Sequence, residues 1–259
     1  MEFFEGIGFI FANYWLQLLQ GVAATIILAI IGTVVGLLLG ILLGLGKNLK
    51  VNDVDRKGLR VLKRFIIALC NIYSVVLRGT PMMVQALIFK AACVLIGINW
   101  TNILYGVPVL DGWLVAGLIV ISFNTAAYMC EIVRSGLNGV DKGQEEGAKS
   151  IGMGSFTRLS IVVLPQALRN SLPTIGNELI VNIKDSSVLN VIGVTELFYI
   201  SKDISVNTYN QIGTYVIIAF IYLILTLLST GILKLIENKM DGKEIHINPF
   251  KHYKISEAK

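Results

Sequence analysis

With 259 residues, 54% of them apolar and 15% charged, and a mean hydropathy of +0.71, the chain carries more apolar surface than a water-soluble core could use, which predicts an integral membrane protein. Its net charge of +5 belongs to loops flanking apolar runs, so it gives no indication of nucleic acid as a partner. Cys70, Cys93 and Cys130 are odd in number and scattered through apolar runs, and His246 and His252 both lie in the C-terminal tail, so neither a disulfide framework nor a metal site is predicted.

A membrane-spanning helix needs ~20 apolar residues, and the segments 16–45, 65–98, 113–133, 173–194 and 215–236 approach or exceed that length. The first is too long for a cleaved signal peptide, and Glu2 and Glu5 precede it without a basic residue, so it is expected to stay in the membrane. Within it Gly32, Gly36, Gly40 and Gly44 recur every fourth residue, a flat strip that lets another helix approach closely, within the subunit or at a seam between subunits. The pair Gly46-Lys47 is not a phosphate-binding loop, because Ile41 stands where such a loop needs its first glycine and Asn48 where it needs a hydroxyl. The chain is therefore not expected to bind or hydrolyse ATP.

The second segment is interrupted by Arg78, Pro81 and Lys90, and the fourth is crowded by Asn177, Glu178, Asn182, Lys184 and Asp185. Basic residues set the orientation. The loop after the first segment carries Lys47, Lys50, Arg56, Lys57, Arg60, Lys63 and Arg64, the region 134–169 carries five more, and the tail 237–259 is rich in lysine. The N-terminus and the 99–112 loop carry none, and the 195–213 loop carries only Lys202. Together these predict five transmembrane helices, N-terminus outside and C-terminus cytoplasmic, in an all-α polytopic fold whose membrane domain covers 1–236.

Between the third and fourth segments lies a long cytoplasmic region, 137–172. Asp141 is a good N-cap with Gln144 three residues on, which predicts a short helix through Gly143, Glu145, Glu146, Ala148 and Ile151. Gly152 and Gly154 then break it, and Ser155 is expected to cap a second helix ending before Pro165. Such an elbow presents side chains, Met153 and Phe156 among them, to a partner's groove. In the third segment Thr125, Tyr128 and Glu131 share one helix face, with Asn124 beside them. Charges at membrane depth are costly and face protein or water. This stripe, with Lys184, Asp185 and Ser187 of the fourth segment, is expected to line a central translocation path.

The 143–165 stretch resembles the EAA loop of ABC importer permeases. The ordered set Tyr73, Arg78-Gly79-Thr80-Pro81, Gln85, Asn124-Thr125-Ala126-Ala127-Tyr128, Glu131, Gly152, Leu164-Pro165 and Lys184-Asp185-Ser186-Ser187 resembles that of polar amino-acid uptake permeases. The resemblance implies a type I importer fold and a multi-pass subunit of a prokaryotic plasma membrane. It further implies pairing with a second permease subunit, docking of ABC ATPases that bind the ATP, and delivery of the amino acid by an extracytoplasmic binding protein. The chain departs from the pattern at Gly147, where the family has alanine, and Lys90 is not a family feature. A permease for a non-amino-acid solute is the alternative that shares the elbow. An ion-coupled secondary transporter would instead show two related halves with paired interrupted spans.

Overall fold

The computed structural model describes residues 3–53, 55–100 and 112–241. Most of the loop read at 99–112, and the tail beyond residue 241 with both histidines, lie outside the described residues. The helices are α1 (Phe3–Lys47), α2 (Lys57–Gly79), α3 (Met82–Leu95), α4 (Gly112–Asn138), α5 (Lys142–Ser150), α6 (Ser155–Thr157), α7 (Leu164–Asp185), α8 (Leu197–Thr208) and α9 (Gln211–Asp241). A π-helical stretch, Arg158–Val163, leads into α7, and a 3-10 stretch, Ser186–Ile192, leaves it. The described residues contain no strand, as an all-α chain requires. By length and apolarity α1, α4 and α9 are each able to cross a bilayer, whereas the 14-residue α3 is apolar but too short.

The protein is organised around α4, which is buried along most of its length. The glycine strip of α1 lies directly on it. A Cβ added at Gly32 would stand 2.7 Å from Ile121, one at Gly36 2.7 Å from Thr125, one at Gly40 2.4 Å from Met129, and one at Gly44 3.1 Å from Val133. The strip is thus an intrasubunit surface. Contacts that advance together along both helices also show that α1 and α4 run parallel.

The second segment is broken where its sequence suggested. Arg78 and Gly79 end α2, and Pro81, which has no N–H to lose, caps the start of α3. In the preceding loop Asp55 accepts from the Asn52 backbone N–H and, at 2.7 Å, from Lys63. The Lys63 ammonium holds the Asp55 carboxyl below its usual range. A carboxyl with a depressed folded pKa contributes above its unfolded pKa, so this tie is present at neutral pH and is lost as pH falls through the carboxylate range.

Three expectations require correction. The second cytoplasmic helix does not end before Pro165: the chain stays helical from Ser155 to Ile192. The π-helical turns at Arg158–Val163 shift the hydrogen-bond register just ahead of the proline, which absorbs its missing N–H and its clash with the preceding turn. Gly154, not Ser155, holds the cap position of that helix. The 195–213 segment, read as an outer loop, contains α8. Glu196 starts that helix by accepting from the Phe198 and Tyr199 backbone N–H groups and from the Tyr222 hydroxyl. Leu197 and Ile204 bury against Ile10, Leu18, Ile217 and Ile218, a tertiary contact that a single basic residue in a polar stretch does not announce.

Candidate functional site

The elbow between α4 and α7 forms through local chemistry. Asp141 Oδ1 accepts from the Gly143 backbone N–H at 2.6 Å and caps α5. Gln144 does not turn back to complete a capping box but accepts from Gln166 on α7. Gly152 adopts φ +81°, a left-handed conformation available to glycine at little cost, and turns the chain after α5. Ala148 is the buried contact of α5, and Glu145 bridges Lys50 at 3.5 Å and Arg158 at 3.6 Å, tying the elbow to the end of α1 and to the rod that follows. Gly143, Gln144, Glu146 and Gly152 are exposed, and Met153 is half-buried. Phe156 is 82% exposed and Ile151 73% exposed, an apolar tip on a segment surrounded by charge. Ile151 was legible only as the last residue of a helix, because nothing in the sequence shows that the turn at Gly152 lifts it outward.

At membrane depth two distant motifs are joined. Gln85 donates to the Leu77 carbonyl and to Thr80, and its carbonyl accepts from Asn124 at 2.9 Å. Arg78 lies 5.7 Å over the Tyr128 ring and 3.3 Å from Glu131. The break at Thr80-Pro81 is therefore pinned to α4 through its flanking polar side chains, with Tyr73 donating to the Phe123 carbonyl one turn away.

Glu131 gathers more cations than the sequence suggested. Lys47 approaches it at 2.5 Å, Arg78 at 3.3 Å and Arg134 at 3.4 Å, while Ser74 donates to the same carboxylate at 3.0 Å. Lys47, read as a loop charge, has a side chain only 5% exposed. The register of the glycine strip, with Gly44 beside Val133, carries the Lys47 backbone past the level of Glu131, and the long Lys47 side chain reaches back along α4 to the carboxylate. The open side of Glu131 borders a polar cleft of about 410 Å³ shared with Ser135, Asn170, Ser171 and Thr174.

Thr125 is fully buried and donates to Asn182, which donates in turn to Thr33 of α1. Asn182 thus links α1, α4 and α7, a role the crowding of polar residues in the fourth segment hinted at without singling it out. Lys184 and Ser187 line a different cleft, of about 400 Å³, with Phe198, Tyr215 and Tyr222. Lys184 is exposed, Asp185 half-buried, and Ser187 donates to the Lys184 carbonyl. Among the described residues no hydrogen bond or ion pair connects this group to the α4 stripe. Within one subunit, therefore, Asn124, Tyr128 and Glu131 meet the α2–α3 break, Thr125 meets α7, and Lys184, Asp185 and Ser187 stand apart. No group of histidine, cysteine or carboxylate side chains able to hold a metal ion occurs among the described residues.

Over residues 57–242 the chain matches the family described as binding-protein-dependent transport system inner membrane component. Among its relatives, the putative glutamine transport system permease protein GlnP of Rickettsia conorii is 36% identical over 171 residues, 66% of this chain and 73% of the relative. The arginine transport system permease protein ArtQ of Bacillus subtilis is 33% identical over 185 residues, 70% of this chain and 78% of the relative. A crystal structure of an amino acid ABC transporter with histidines superposes with a TM-score of 0.72 at 32% identity, covering 88% of this chain and 96% of the other. The MetNI methionine ABC transporter, at 18% identity and a TM-score of 0.67 over 87% of this chain and 96% of the other, shares the fold. A chain whose described residues are helical, with helices long and apolar enough to cross a membrane, and which matches this family over most of its length, belongs to the binding-protein-dependent transport system inner membrane components.

Proposed function

We propose that the chain is the membrane-spanning subunit of an ATP-driven importer of a polar amino acid, and that the elbow at residues 142–157 receives the separate ATPase subunit. The observation that carries this reading is the exposed apolar tip, Ile151 and Phe156, on a segment held rigid by the Asp141 cap, the Glu145 bridges and the Gly152 turn. An unpartnered loop has no reason to hold two large apolar side chains in water. Relatives named for glutamine and arginine transport support a polar amino acid as cargo. In this reading a second permease subunit completes the pathway, which accounts for an exposed cation such as Lys184 on a cleft that no hydrogen bond or ion pair among the described residues links to the α4 stripe, and an extracytoplasmic binding protein delivers the cargo. Uptake of labelled amino acids into vesicles carrying the assembled complex should require ATP and binding protein. Uptake that persists without ATP and follows an ion gradient would refute it, and uptake only of non-amino-acid solutes would refute the cargo.

Five crossings with the N-terminus outside fit the parallel packing of α1 on α4. Parallel neighbours need a return crossing between them, and α2 and α3, joined end to end at Pro81, are together long enough to make it. The cytoplasmic face then carries the α1–α2 loop, the elbow and the tail. In a background lacking Cys70, Cys93 and Cys130, a cysteine at Asn99 should react with an impermeant maleimide from outside and a cysteine at Arg56 should not. The opposite pattern would invert the topology.

A further inference from the structure

Lys90 on α3 lies outside the importer motifs, and its surroundings are those of a binding site. Its ammonium donates to the Ile192 carbonyl at 3.2 Å and stands 4.8 Å from the Trp113 ring centroid. Among the described residues no carboxylate lies within ion-pair distance of it, and its partners there are the Ile192 carbonyl and the Trp113 ring face. Lys90, Trp100 and Trp113 line a cleft of about 350 Å³ where the C-terminal end of α3 meets the first turn of α4. Trp100 is buried, and among the described residues its indole N–H, closed to solvent, has no hydrogen-bond partner. Beside the cleft, Val94, Leu95 and Ile96 project outward, 67%, 86% and 71% exposed, at the end of an apolar helix.

A half-buried cation that meets no carboxylate among the described residues, with two tryptophans beside it at the end of an apolar helix, calls for an oxyanion attached to something apolar. Tryptophan and lysine at such depth sit among lipid headgroups, and basic pockets between membrane helices take headgroup phosphates. We propose that this cleft binds the phosphate of an anionic phospholipid, with Lys90 as the donor, the Trp113 ring beside it and the acyl chains along Val94, Leu95 and the exposed face of α3. A lipid there would neutralise the cation that holds α3 to the end of the rod containing α7. The site does not depend on the identity of the cargo, and which leaflet supplies the lipid follows from the topology.

Three tryptophans make the test direct. With Trp15 replaced by phenylalanine, both remaining tryptophans line the cleft. The full chain, reconstituted in vesicles of phosphatidylcholine with a fraction of lipid brominated high on the acyl chain, should show at least threefold tighter quenching by brominated phosphatidylglycerol than by brominated phosphatidylcholine. Lys90→Gln should abolish the preference and Lys90→Arg should keep it. Excess soluble glycerol phosphate should leave it unchanged. Equal quenching by the two lipids, or a preference that survives Lys90→Gln, would overturn the proposal. Loss of the preference on adding glycerol phosphate would make the site one for soluble phosphates and overturn the lipid assignment.

Discussion

Gly40→Leu is expected to abolish recovery of folded protein. The Cβ it adds would stand 2.4 Å from the Met129 Cβ and 3.0 Å from the Cys130 backbone nitrogen, so the neighbour that must move includes the main chain of the central helix. Overpacking a well-packed site costs ~1–3 kcal/mol where side chains can yield, and more where they cannot. In lipid this loss is acute, because close van der Waals contact, and not expulsion of water, holds α1 to α4. Size-exclusion profiles after detergent extraction should show a severalfold loss of the monodisperse peak for Gly40→Leu. Gly8→Leu, where an added Cβ meets nothing within 4 Å, should leave it intact. Equal recovery of the two would mean that the glycine strip is not the seam between α1 and α4.

The second large effect concerns Glu131. Replacing it by glutamine leaves Lys47 almost wholly buried without its counter-charge, and Arg78 loses its tie to α4 while keeping only the Tyr128 face. Breaking a buried pair from one side costs ~3–5 kcal/mol, and the partial exposure of Glu131 places this case at the lower end. Thermal stability in detergent should therefore fall, with any residual transport keeping its selectivity. The double variant Glu131→Gln with Lys47→Met removes the stranded charge and should recover much of the lost stability. A substrate ligand behaves otherwise: Glu131→Gln would then change selectivity at unchanged stability, and Lys47→Met would rescue nothing. Four contacts converging on one carboxylate favour the positioning role.

What the sequence made legible follows the distance over which each feature is decided. The Asp141 cap, the left-handed Gly152 and the break at Pro81 are settled within one or two helical turns, where side-chain and backbone chemistry decide the outcome, and they were read correctly. The glycine strip announced a close approach but not its partner, because a smooth face specifies contact without specifying with what. Lys47 was misassigned for the same reason: a basic residue at the end of a span reads as loop charge unless the opposing helix is known to carry Glu131 within reach of its side chain. The continuous helix through Pro165 was missed because a proline normally ends a helix, and the compensating π-helical turns have no sequence signature of their own. Asn182 and Ile151 became visible only when tertiary packing showed one to be a junction and the other to be exposed.

The claim on which this account turns is that the elbow carries the ATPase, and the most direct measurement is recovery of the ATPase subunit with the purified permease from detergent extracts. The wild-type chain should retain it. Gly152→Val forces a β-branched residue into a left-handed conformation, at a cost of roughly 1–2 kcal/mol or more, and Phe156→Asp charges the exposed tip. Each variant should insert and purify in normal amount yet recover at least tenfold less ATPase, with ATP-dependent uptake falling in parallel. Full recovery of the ATPase and unchanged uptake in both variants would contradict the assignment of the elbow as the docking surface.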